Sequence, residues 1–181
     1  MTGRAKPPPP LTAAYLEAAA LHYLERFASS RANLRRVLLT KARRSQAHWG
    51  GEREEALALI EALMVRLVGL GYLNDTAYAE MKTASLARRG GSRRGIQATL
   101  AAKGVAAETV QQALATFDPE AEQAAALALA RRRRLGPFRP AATRAAHRLR
   151  DLGVLARAGF PHEIARAVID AVAAEDREEM A

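Results

Sequence analysis

Four histidines are the side chains of this 181-residue chain best suited to hold a metal or to move a proton at neutral pH. His22, His48, His147 and His162 are scattered, without an HExxH or other close ligand spacing, so each reads as a surface or packing histidine. The absence of cysteine removes thiolate nucleophiles, disulfides and every thiolate zinc site. Glycines cluster in RRGGSRRG, residues 88–95, but not in the GxxxxGK[ST] order of a phosphate-binding loop. That stretch reads as a connection between two helices, with a single-copy likeness to RGG-type RNA-binding segments. Carboxylates fall mostly in helix first turns or in the C-terminal tail, Glu163 and Glu178 among them, and no pairing for two-metal chemistry is evident. The residues therefore predict no enzyme, no metal site and no cofactor.

What remains is charge. The chain carries a net charge of +9, and 24 of its 28 basic residues are arginine. Such a protein is drawn to polyanions, nucleic acid first and acidic protein surfaces second. A GC-rich genome also favours arginine over lysine, but it does not decide where the arginines lie. Three blocks free of Asp and Glu, residues 26–51, 81–107 and 123–150, hold 21 of the 28. The candidate contacts are Arg31, Arg35, Arg36, Lys41, Arg43 and Arg44 in the first, Arg88, Arg89, Arg93, Arg94 and Lys103 in the second, and Arg131, Arg132, Arg133 and Arg134 in the third. The competing explanation for each is an arginine snorkelling over apolar neighbours on a solvated helix face. Aromatic residues, which a single-strand stacking platform needs, are nearly absent from the blocks. Trp49, after the basic run KARRSQAH, either stacks on a partner or packs.

Helices must position these groups, because Ala, Leu, Arg and Glu dominate and apolar residues recur at three and four from Leu11 onward. The four prolines ending the first ten residues predict a disordered, solvated tail. Caps and stops then divide the chain into three groups of three helices. The first runs from Thr12 to about Ala28, from Ser30 to about Arg44, and from Glu52 to Leu70 before Gly71. The second runs from a capping Asp75 to Arg89, from Ser92 to Lys103 before Gly104, and from Ala107 to Phe117. The third runs from Pro119 to Leu135, from Ala141 to Ala158 before Gly159, and from Pro161 to about Ala174. The expected units are residues 11–73, 74–117 and 118–174, followed by an acidic tail, 175–181. Internal similarity supports a repeat: SRANLRRVL from Ser30 aligns with SRRGIQATL from Ser92, and GVAAETVQQAL from Gly104 aligns with GFPHEIARAVI from Gly159. Each basic block falls around the joint of the first and second helices of its group, so stacked repeats would join the blocks into one stripe. No signal peptide or membrane span is read in the sequence, and the protein is expected to stay in the cytoplasm as a monomer.

Several stretches resemble the RecX family of bacterial recombinase regulators. GYLNDTAYA, 71–79, is similar to its GYLDDxxFA signature. SRxxL at Ser30, GSRRGIQATLAAKGV at 91–105 with Glu108 and Ala113-Leu114 downstream, and RAGF at 157–160 follow in the family's order, so the likeness covers about residues 11–173. The resemblance implies an all-α fold of three tandem three-helix repeats forming an elongated, curved molecule. It further implies binding in the helical groove of the RecA recombinase filament, inhibition of ATP hydrolysis and strand exchange in recombination, DNA repair and the SOS response, and non-specific binding to single- or double-stranded DNA. KARRSQAHWGGERE, from Lys41, is longer and more basic than the family's short turn there. Pro161 and His162 replace the commoner cap and aromatic. The alternative is a stand-alone helix-turn-helix DNA-binding protein, although the helix from Ser92 offers chiefly Arg93, Arg94 and Gln97 as base readers.

Overall fold

The computed structural model describes residues 7–115 and 117–171, apart from the side chain of Pro119. Nine α-helices and one 3-10 turn account for its regular structure, with no strand among the described residues. The order is α1 (Ala13–Arg26), α2 (Arg31–Trp49), α3 (Arg53–Gly69), α4 (Asp75–Arg88), α5 (Arg93–Ala102), α6 (Ala107–Ala115), α7 (Pro119–Arg133), the 3-10 turn Gly136–Phe138, α8 (Ala141–Arg157) and α9 (His162–Ile169). This is the expected all-α array of three-helix repeats.

The chain divides into two compact units. One contains the chain to Tyr78 together with Lys103–Val105. Its core is formed by one face of each of α1, α2 and α3: Leu16 and Ala20, Leu34, Leu38 and Ala42, and Ala56, Ile60, Leu63, Met64 and Leu67, closed by Leu73. The i, i+4, i+8 spacing of the α2 residues puts all three on one stripe, which is why this strongly basic helix still has a buried side. Glu17 and Arg66 tie α1 to α3 at the surface. The other unit contains Ala79–Ala102 and the chain from Ala106. There α7, α8 and α9 surround Ala126, Ala130, Leu135, Leu155, Phe160 and Val168, while Ile96, Leu100, Val110 and Leu114 are buried on α5 and α6.

Four details differ from the sequence reading. Helix α2 runs through Trp49 rather than ending near Arg44, because nothing before Gly50 breaks it; Gly50 has φ +76°. The prolines nearest α1 are largely exposed but tied to α2, the Pro9 carbonyl accepting from Ser45 Oγ at 2.7 Å and the Pro8 carbonyl from Trp49 Nε1 at 2.7 Å, while residues 1–6 of the expected tail lie outside the described residues. Asn74, not Asp75, caps α4, its Oδ1 accepting from the Ala77 N–H at 3.0 Å. Helix α9 stops at Ile169. The acidic segment 175–181 lies outside the described residues.

Candidate functional site

The basic blocks are held in place by a joint that occurs twice. In the first, the Ser30 hydroxyl caps α2 by accepting from the Asn33 N–H and donates to the Lys103 carbonyl at 2.5 Å, while the Arg31 N–H donates to Asp75 Oδ1 at 2.8 Å. In the second, the Ser92 hydroxyl accepts from the Gly95 N–H and donates to the Ala158 carbonyl at 2.7 Å, while the Arg93 N–H donates to Glu122 Oε1 at 2.9 Å. The same unpaired N–H groups at a helix start are thus satisfied by a serine hydroxyl and by a carboxylate from the next repeat's first helix, and that hydroxyl in turn donates to the carbonyl that ends the next repeat's second helix. Each carbonyl is followed by a glycine with positive φ, Gly104 at +73° and Gly159 at +90°. The third repeat has Pro140 at the corresponding start, with no side-chain cap.

The joint also sorts the candidate arginines. Arg93 Nη1 donates to the Leu114 carbonyl at 2.8 Å, so this guanidinium is committed inside the protein. Arg35 pairs with Glu61 at 2.5 Å, and Arg36 Nη2 and Lys103 Nζ both donate to Asn33 Oδ1, at 2.8 and 3.4 Å. The Arg131 guanidinium lies over the Phe138 ring, 5.4 Å from its centre. In contrast, the side chains of Arg31, Lys41, Arg43, Arg44, Arg88, Arg89, Arg94, Arg132, Arg133 and Arg134 have no hydrogen-bond or ion-pair partner among the described residues. Every repeat keeps some of this uncompensated charge. Arg132 and Arg133 are brought together at one groove; Arg43 and Arg44 are exposed on α2, as is Trp49, whose ring meets His48 edge-on. The later basic residues of the third block serve structure: Arg139 forks onto the buried Asp151 and Arg148 onto Asp170.

Sequence reasoning missed the roles of Asp75 and Glu122. Both are acids in the first turns of helices, which normally serve their own helix; here each accepts from the helix start of the preceding repeat. Among the described residues no group of three or more His, Asp or Glu is arranged to hold a metal, and no helix is long and apolar enough to cross a membrane.

Repeated helical units joined by the same polar clasp define a helical-repeat protein with basic helix ends, and comparison with known proteins places it more closely. The family described as RecX, second three-helix domain, matches residues 74–114. The chain is 51% identical over 167 residues to the regulatory protein RecX of Myxococcus xanthus, covering 91% of this chain and 89% of that one. It is 33% identical over 161 residues to the regulatory protein RecX of Agrobacterium fabrum, covering 89% and 84%. The RecX crystal structure from Lactobacillus salivarius superimposes with a TM-score of 0.61 over 87% of this chain and 94% of that one, at 21% identity, a likeness of fold. The chain belongs to the RecX family of regulatory proteins.

Proposed function

We propose that this protein is a non-enzymatic regulator that binds the RecA recombinase filament and lowers its ATPase and strand-exchange activities. The observation that carries this reading is the recurrence, in each repeat of a RecX-family chain, of exposed guanidinium groups without an internal partner. A filament presents phosphates and protein carboxylates at regular intervals, and repeats that each bring a few free cations match such a ligand. The contacts are distributed over Arg31, Lys41, Arg43, Arg44, Arg88, Arg89, Arg94 and the Arg132 to Arg134 run, and the protein acts as a cytoplasmic monomer. Arg35, Arg36, Arg93, Lys103 and Arg131 are engaged by partners within the chain. The stand-alone helix-turn-helix reading is weaker, because the internal bond of Arg93 leaves Arg94 and Gln97 as the base readers of α5.

The test is the rate of single-strand-dependent ATP hydrolysis by the cognate RecA with this protein titrated from sub-stoichiometric to equimolar. The expected result is inhibition well below one-to-one. An unchanged rate, with tight binding to naked DNA, would replace this reading with the stand-alone DNA-binding protein.

A further inference from the structure

Helices α3, α4, α7 and α8 end by one hydrogen-bond pattern, in which two successive N–H groups beyond the helix turn back to its last carbonyls. For α4 these are Gly90 N–H to the Ala87 carbonyl at 2.9 Å and Gly91 N–H to the Leu86 carbonyl at 3.0 Å; for α7 they are Arg134 N–H to Arg131 at 3.1 Å and Leu135 N–H to Ala130 at 2.9 Å. The pivotal residue must be left-handed, and α3, α4 and α8 place glycine there: Gly71, Gly90 and Gly159. Helix α7 places Arg134, at φ 53° and ψ 55°, the only non-glycine residue with positive φ among the described residues. A Cβ in this conformation crowds the following carbonyl, so glycine would hold the turn with less strain. The Arg134 side chain offers nothing internal in return, being exposed and without a hydrogen-bond or ion-pair partner.

The two preceding arginines, Arg132 and Arg133, line a groove of about 290 Å³ together with Leu86, Ile96, Leu129 and the Gly90-Gly91 turn. No acidic residue lines it. The neighbouring start of α5 is not the anion site, since Ser92, Gly95 and Arg93 N–H are taken by the joint. Successive guanidinium forks over an apolar floor suit a ligand with phosphates in series and sugars or bases between them. We propose that this groove binds the phosphodiester backbone of a nucleic-acid strand and that Arg134 is kept left-handed because its guanidinium contacts a phosphate. The assignment rests on the filament reading for the strand's origin, and it is tested without RecA.

The experiment uses the full chain and its Arg134→Gly variant, with fluorescence anisotropy of a labelled oligothymidylate at several salt concentrations beside thermal unfolding. Glycine is expected to raise the unfolding midpoint while weakening oligothymidylate binding about three- to tenfold, with the slope of log K against log salt reduced by about 0.7. Arg134→Lys is expected to keep most of the affinity. Arg53→Ala, which removes one charge outside the basic blocks, should change binding less than Arg134→Gly. A stabilised Arg134→Gly with unchanged affinity and slope would overturn the proposal, as would equal losses in Arg53→Ala. Competition by inorganic phosphate or polyglutamate as effective as that by unlabelled oligothymidylate would overturn the choice of ligand. A wild-type chain that leaves RecA hydrolysis untouched yet loses oligothymidylate affinity on Arg134→Gly would sink the filament reading and leave this one standing.

Discussion

Asp151 is the side chain on which the third repeat most depends. It is 1% exposed, and its carboxylate accepts Arg139 Nε and Nη2 at 2.7 and 2.9 Å and the Gly136 N–H at 2.9 Å, fastening the turn after α7 to α8. Burial is the largest single influence on its proton affinity and pushes it up. The Arg139 fork, the Gly136 N–H and the positive field of Arg139 and His147 together outweigh burial and hold the carboxyl below its usual range. Because the folded value lies below the unfolded one, the stabilisation is complete above the ordinary carboxylate range, about 3.9, and is lost as pH falls through the lowered value. Asp151→Asn is expected to lower stability by about 2 kcal/mol at neutral pH, since it removes a buried charge-assisted acceptor. Urea unfolding across pH checks both parts: the gap between wild type and variant should close on acidification, and equal stability at neutral pH would show the pair to be idle. Arg148→Ala, which breaks an exposed fork onto Asp170, should cost much less.

At the scale of elements, the second joint makes unequal demands on the glycines around it. A Cβ on Gly159 would lie 2.6 Å from Ser92 Oγ and 3.1 Å from the Gly95 nitrogen, both fixed by the joint's own bonds, whereas a Cβ on Gly90 would come no nearer than 3.5 Å to its neighbours. Both positions have positive φ, so Gly90→Ala and Gly159→Ala share a conformational cost of about 1 kcal/mol. Gly159→Ala adds overpacking of about 1–3 kcal/mol. Chemical unfolding should therefore rank Gly159→Ala well below Gly90→Ala; equal losses would mean the joint has room. These residues are also why the repeat was legible in the sequence. A helix-capping hydroxyl and a left-handed turn accept few residue types, so Ser30 with Ser92 and Gly104 with Gly159 stood out in register. Helix α2 beyond Arg44 was not legible, because a run of charged and polar residues looks the same on an exposed helix as in a loop until Gly50 stops it. Nor were the commitments of Asp75 and Arg93 readable, since their partners, the Arg31 N–H and the Leu114 carbonyl, lie 44 and 21 residues away and follow no local pattern.

For the whole molecule, the decisive quantity is how the net charge of +9 is divided between internal work and free surface. Where the sequence offered fifteen equivalent candidates, Arg35, Arg36, Arg93, Lys103 and Arg131 have internal partners and the rest do not. On the proposed function this division separates two kinds of variant. Charge reversal of Arg43 with Arg44, of Arg88 with Arg89, or of Arg132 with Arg133 removes only free cations. Each pair should leave the unfolding midpoint near that of the wild type and shift the inhibition of RecA hydrolysis to higher protein concentration, by about tenfold for two lost phosphate or carboxylate contacts. Combined pairs from different repeats should add in free energy, because sites that share no partner act independently. Arg93→Glu should behave differently: it puts a carboxylate against the Leu114 carbonyl, so the midpoint falls together with activity. If all three reversed pairs inhibit as well as the wild type while remaining folded, the free arginines merely solvate the helices, and the filament must be held by the exposed apolar residues instead.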